Sequence, residues 1–329
     1  MHTRLSSAAA VVLTLALLFV TGCASLHEPI IMDPPRAEPL RPGGGKRPLV
    51  ALVLSGGSAR ALAHIGVIKV LEEAGIAPDI IVGSSAGSLV GVAHASGMDA
   101  RQMAAAAQEL DWAVFRDFTM PNLGLPLLRG ELGFIRGERL QSYVTKLVAG
   151  RPLQELPRRM AVVATDLQTG QPVAFTHGHA GLAVRASSSM PGVFVPPLIE
   201  GRLYVDGQVS SPLPVTVARM LGADIVIAVD VTFPAAHADI SNIFSVLFQS
   251  FTIATQRILQ YELGLATVVI RPDIKTTGQL GLSDQGWIIE AGEKAARAAL
   301  PALLALRIAR PGGSATQNPK LNGVTESRP

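Results

Sequence analysis

The chain has 329 residues, 48% of them hydrophobic and 5% aromatic, with 28 basic against 25 acidic side chains and a formal net charge of +3. That length and composition fit one large domain with an aliphatic core, and the near balance of charge gives no footing for nucleic acid as a partner. A single cysteine, Cys23, excludes a disulfide within the chain and leaves almost no scope for a thiolate-held metal.

From the N-terminus, Arg4 precedes an apolar run from Ala8 to Val20, the length of a signal-peptide core and too short for a comfortable membrane span. The residues Val20-Thr21-Gly22-Cys23 that follow resemble the lipobox of bacterial lipoproteins, in which cleavage before the cysteine precedes its lipidation. The resemblance implies a signal peptide over residues 1–22, a lipid anchor at Cys23 and attachment to a membrane of the bacterial cell envelope. Ala24 stands where an aspartate would favour inner-membrane retention, so in a host with two membranes the periplasmic face of the outer membrane is the expected address rather than the inner membrane. Residues 23–47 contain Pro29, Pro34, Pro35, Pro39, Pro42 and Gly43-Gly44-Gly45, and read as a semi-extended tether. Lys46 is followed by Arg47-Pro48 with no P-loop Ser or Thr, so these glycines are not a phosphate loop.

The folded part reads as one domain over residues 48–310. Leu49 to Leu54 is a continuous apolar run, as expected of a strand buried on both faces. Ser55-Gly56-Gly57-Ser58 then turns the chain into a helix from about Arg60 to Ala74, stopped by Gly75. Ile80 to Val82 is a second strand and Ser85 to Ala95 a second helix. Further strands are expected at Met160–Ala164, Val173–Phe175, Leu203–Val205, Ile225–Val229 and Thr267–Ile270. Further helices are expected at Asp99–Leu110, Glu138–Val148, Pro214–Leu221, Ile243–Leu263 and Gly286–Ile308. The alternation predicts an α/β fold with a mostly parallel central sheet. The stretch from Trp112 to Leu128, rich in large apolar side chains and broken by Pro121 and Pro126, is either the mouth of an acyl pocket or a loop packed on the core. Ile243–Leu263 carries an apolar stripe with few cations and reads as a half-buried core helix rather than a membrane-surface helix. Residues 311–329 read as a disordered tail.

Gly83-Ser84-Ser85-Ala86-Gly87 matches G-x-S-x-G between a predicted strand and a predicted helix, the setting in which a serine hydroxyl is held exposed on a strained turn. Amides at the start of the following helix favour negative charge nearby. The usual base is missing: no histidine follows His237, and none of His94, His177, His179 and His237 stands after a late strand with an acid before it, so a Ser-His-Asp order is disfavoured.

Three further segments resemble patatin-like phospholipases. Ser55-Gly56-Gly57-Ser58-Ala59-Arg60-Ala61 is similar to their Gly-rich oxyanion loop, Arg185-Ala186-Ser187-Ser188-Ser189-Met190-Pro191-Gly192 to a segment of their bacterial members, and Val205-Asp206-Gly207 to their Asp-Gly motif. The resemblance implies a three-layer α/β/α fold and hydrolysis of acyl esters by a Ser–Asp dyad, without metal or cofactor. It implies Ser85 as nucleophile, Asp206 as base and the amides of Gly57 and Ser58 as oxyanion donors, with Gly56, Gly83, Gly87 and Gly207 shaping the turns. Ser58 and Ala61 replace glycines of the loop, and Gln208 stands where many bacterial relatives have a second glycine. Arg60 supports the loop, meets a phosphate headgroup, or pairs with a local carboxylate. His64 is expected to be a packing histidine, Asp166 to orient loops and Asp230 to be structural. The substrate expected is a membrane phospholipid or lysophospholipid, with a general carboxylesterase and a non-catalytic lipid-binding lipoprotein as the alternatives. The oligomeric state is not indicated.

Overall fold

The computed structural model describes residues 33, 35–37, 47–109, 117, 132–235, 240–274 and 286–306. The expected signal peptide, the Cys23 anchor, much of the tether, the Trp112–Leu128 stretch apart from Asp117, and the tail all lie outside these residues. Where the tether is described, Arg36 forms an antiparallel bridge with His177, so this point is held against the domain.

Among the described residues eight strands form one sheet: β1 (Val50–Leu54), β2 (Ile80–Ser84), β3 (Arg159–Asp166), β4 (Pro172–Phe175), β5 (Leu198–Ile199), β6 (Arg202–Asp206), β7 (Ile225–Val229) and β8 (Val268–Ile270). The order β3-β2-β1-β7-β8 is parallel throughout, and β4, β6 and β5 extend it antiparallel from β3. The sheet is therefore mixed and mostly parallel, as expected. Central β1 shows why its sequence is uniformly apolar: Val50, Leu52 and Leu54 enter one core while Ala51 and Val53 enter a second on the opposite face.

The first core is covered by α1 (Ala63–Glu73), α2 (Ala86–Ala95), α3 (Ala100–Glu109), α4 (Glu138–Leu147), α5 (Ala180–Ser187) and α8 (Gly286–Ala305). The second is covered by α6 (Val215–Met220) and part of α7 (Ile243–Leu265). This is the three-layer α/β/α arrangement. The crossing of α1 and α8 depends on two glycines. A Cβ at Gly66 would collide with the Ile289 carbonyl oxygen, and one at Gly292 with the Ala63 carbonyl oxygen. Helix α7 is half-buried, but not by its apolar stripe: Thr252, Thr255, Leu259 and Glu262 are buried while Ile243, Leu247 and Tyr261 of that stripe are exposed. The polar face is drawn inward by bonds from Gln249 and Gln256 to the Ala235 and Phe233 carbonyls and from Ser211 and Thr216 to Glu262.

Three local features differ from the sequence reading. The turn after β1 runs through a 3₁₀ segment, Ser58–Leu62, before α1 begins. Helix α5 and the two-residue strand β5 have no counterpart among the expected elements.

Candidate active site

Strand β2 ends at Ser84 and α2 starts at Ala86, so Ser85 alone makes the turn, with φ 52° and ψ −131°. A positive φ is strained for a residue with a Cβ and persists only where the surroundings enforce it. The flanking glycines permit the closeness. A Cβ at Gly83 would meet Gly87 and Ser88 backbone, and one at Gly87 would collide with the carbonyl oxygens of Leu54 and Ser55. The G-x-S-x-G turn thus lies directly on the end of β1. Side chains then fix it. Ser88 Oγ donates to the Ser85 carbonyl at 2.6 Å, and the Ser85 amide donates to Ser187 Oγ at 2.8 Å, which itself donates to the Val163 carbonyl at 2.5 Å.

Asp206 ends β6 and reaches the same place because its register partner on β3 is Ala164, one residue beyond the Val163 that pairs with Ser84. Ser85 Oγ donates to Asp206 Oδ2 at 2.7 Å, and the Gln208 amide donates to Asp206 Oδ1 at 2.9 Å. Gly207 makes the approach possible, since a Cβ there would collide with the Val163 carbonyl oxygen and Ser84 Oγ. The carboxylate is 1% exposed, and burial pushes its pKa up to about 7 against the pull of the hydrogen bonds from Gln208 and Ser85. A carboxyl group titrating near neutrality, bonded to a serine hydroxyl, is equipped to take and return a proton at physiological pH.

None of the described histidines joins this pair. His64 bonds the Ser55 carbonyl, His94 the Met98 carbonyl, His177 the Thr176 hydroxyl, and His179 accepts from the Leu182 amide. His237 lies outside the described residues.

The Gly-rich loop follows β1. The Gly56 amide is taken by the Pro212 carbonyl, and a Cβ at Gly57 would meet the Val231 carbonyl oxygen at 2.5 Å. Ser58, in place of glycine, is exposed and holds φ at 51°. The departure from the family pattern therefore falls where a side chain is strained, by roughly 1–2 kcal/mol. Among the described residues the amides of Gly57 and Ser58 have no acceptor. Arg60 pairs with carbonyls rather than a carboxylate: Nε donates to Val231 at 2.9 Å and Nη1 to Ile274 at 3.0 Å, with the guanidinium over the Phe233 ring. It supports the loop. His64 is fully buried, donates through Nε2 to Ser55 and leaves Nδ1 without a partner, so it packs but is only half satisfied. Asp166 caps the β3–β4 turn and meets Arg202, and Asp230 holds Thr232 and Arg271. Both are structural.

Sequence reasoning missed two supports. Ser187 lay in a segment recognised by resemblance but without a role. Glu262, 3% exposed on α7, accepts from Ser211 and Thr216 and thereby anchors the loop that leaves Asp206. Its only sequence signal was a carboxylate interrupting an apolar helix.

The Gly-rich loop and the serine elbow stand at the carboxyl ends of the parallel strands β1 and β2, and the buried aspartate joins them from the end of the antiparallel β6, a constellation of the nucleophilic-serine class. The model of the family described as patatin-like phospholipase matches residues 52–219, about half of the chain, and the chain belongs to that family. It is 37% identical over 196 residues to an uncharacterised NTE family protein of Mycobacterium tuberculosis, covering 59% of this chain and 52% of the relative. A second such protein from that organism is 32% identical over 284 residues, covering 77% and 46%. The chain thus spans about half the length of these relatives. It is also 34% identical over 182 residues to lysophospholipase nte1 of Aspergillus fumigatus, covering 55% of this chain and 12% of that one. Solved structures similar to it include VipD from Legionella pneumophila, at 13% identity and a TM-score of 0.44 over 87% of this chain and 73% of that one. Full-length ExoU from Pseudomonas aeruginosa is 16% identical with a TM-score of 0.39, covering 83% and 62%.

Proposed function

We propose that the protein is a serine acyl-ester hydrolase that uses Ser85 and Asp206 as a dyad on membrane lipids, as a phospholipase A or lysophospholipase. The observation that carries this reading is the 2.7 Å hydrogen bond from the strained Ser85 to a buried Asp206 with raised pKa. Asp206 accepts the hydroxyl proton as Ser85 Oγ attacks the ester carbonyl. The amides of Gly57 and Ser58 receive the tetrahedral oxyanion, an interaction contributing about 3–4 kcal/mol per donor in comparable sites. When the C–O bond breaks, Asp206 returns the proton to the leaving alcohol. Water then gives its proton to Asp206 as it attacks the acyl-serine, releasing the fatty acid and regenerating the hydroxyl. The fungal relative is named a lysophospholipase, which agrees with the substrate class.

The reading includes lipidation at Cys23, which would hold the site beside its substrate on the periplasmic face of the outer membrane. Mass spectrometry of the envelope-purified protein tests it: an acylated Cys23 as first residue is expected, and an unmodified or uncleaved N-terminus would overturn the anchor. For the chemistry, the full chain in detergent is incubated with a fluorophosphonate and with a lysophospholipid. Labelling on Ser85 and turnover lost in Ser85→Ala are expected, whereas a folded protein with neither would leave a lipid-binding role.

A further inference from the structure

Gln208 places a long polar side chain where the resemblance leads one to look for glycine. Its backbone amide is committed to Asp206 Oδ1. Its side chain lies against the first glycine of the loop, so that a Cβ at Gly56 would come within 2.6 Å of Gln208 Cγ and 2.8 Å of Oε1. Gln208 therefore touches the base of the dyad with its backbone amide and, with its side chain, the glycine that opens the loop bearing the Gly57 and Ser58 amides. The residue is 8% exposed, and among the described residues its carboxamide makes no hydrogen bond. Unlike His64 Nδ1 and Ser84 Oγ, which are sealed without a partner, its amide atoms keep some access to solvent.

In the free protein water can partner this amide, but a bound ester that displaces the water without offering a hydrogen bond would leave it unpaired at a cost of about 1–3 kcal/mol. The acyl chain of a lipid ester offers nothing to hydrogen-bond, and its carbonyl oxygen is the business of the loop amides. The remaining polar atoms lie on the alcohol side of the scissile bond. We infer that Gln208 is a specificity-determining residue whose carboxamide hydrogen-bonds a glycerol hydroxyl beside the scissile ester, so that the site selects monoacyl glycerolipids over simple alkyl esters. A polar group waiting for a substrate hydroxyl discriminates against the analogue that lacks it, because the group is then left unpaired. This inference rests on the hydrolase reading above.

The test compares kcat/KM for 1-monooleoylglycerol and ethyl oleate, in the same detergent micelles, with the full chain. Wild type is expected to favour the glyceryl ester, and Gln208→Ala to lower that ratio about tenfold. Gln208→Met, which keeps the length and volume without the amide, is expected to lower it alike and decides the matter if the alanine variant does not fold. A ratio unmoved in both variants overturns the inference. So does an equal loss on both esters, which would make the carboxamide a third oxyanion donor or a prop for the loop. Wild type that labels on Ser85 yet shows no preference overturns this inference alone. Wild type that neither labels nor hydrolyses overturns the hydrolase reading and this one with it.

Discussion

Asp206 serves two demands that pull in opposite directions. Its burial raises the pKa to about 7, which suits a base that must also act as an acid, yet the ionised form is disfavoured in the fold. Because the folded pKa lies above the unfolded value, the folded state holds an extra proton between about pH 4 and pH 7, and stability falls as pH rises through that window. Asp206→Asn is therefore expected to lose at least ~10³-fold in kcat, close to the loss in Ser85→Ala, because the pair acts as a unit. The same variant should be more stable than wild type at pH 8 by roughly 1–3 kcal/mol, a difference that shrinks by pH 5. Urea unfolding at both pH values decides it, and an equal gap at pH 5 and pH 8 would mean Asp206 titrates normally. Ser187 belongs at this scale too. Ser187→Ala leaves the Ser85 amide and the Val163 carbonyl without their shared hydroxyl. A stability loss of about 1–2 kcal/mol is expected, with a fall in kcat exceeding any change in KM, since the variant loosens the nucleophile rather than the substrate pocket.

Among the elements, the close crossing of α1 and α8 at Gly66 and Gly292 leaves no room for a methyl group. Either Gly→Ala change must push the helices apart, and a loss of about 1–3 kcal/mol in urea unfolding is expected with the Ser85–Asp206 geometry untouched, so activity per folded molecule is the control. A neutral substitution would mean the helices separate freely. The elements legible in the sequence were those with a one-dimensional signature. β1 and β7 are parallel strands covered on both faces, so Leu49–Leu54 and Ile225–Val229 read as unbroken apolar runs. Helix α5 had no such signature, because all eight of its residues are buried and no polar face generates a period. Ser85 and Asp206 could be read from short local motifs flanking a strand end. The bond from Ser85 to Ser187 could not, since it joins residues 102 positions apart and nothing in the intervening chain marks the pairing. The same holds for Glu262, whose partners Ser211 and Thr216 lie in the loop before α6 and on α6 itself.

Over the whole molecule, protonation acts on stability from both sides. His64 and His94 are driven by burial to pKa values of about 4, below their ordinary range, so each favours the fold above about pH 6.5 and withdraws that support as pH falls toward 4. Asp206 works the other way over much of the same interval. Wild type is accordingly expected to show a flatter stability profile between pH 5 and pH 7 than Asp206→Asn, in which the downward tilt that the histidines give in acid has lost its largest opponent. Identical slopes in the two proteins would remove Asp206 from the balance. Activity should rise with pH to a plateau above about pH 7, as the carboxylate form of Asp206 becomes dominant. The α1–α8 clasp adds a constraint in time. During synthesis α1 emerges long before α8, and until the later helix leaves the ribosome the groove around Gly66 stays open and apolar. The nascent chain therefore cannot close its larger core by degrees as it grows, and must complete it late, when α8 drops into place.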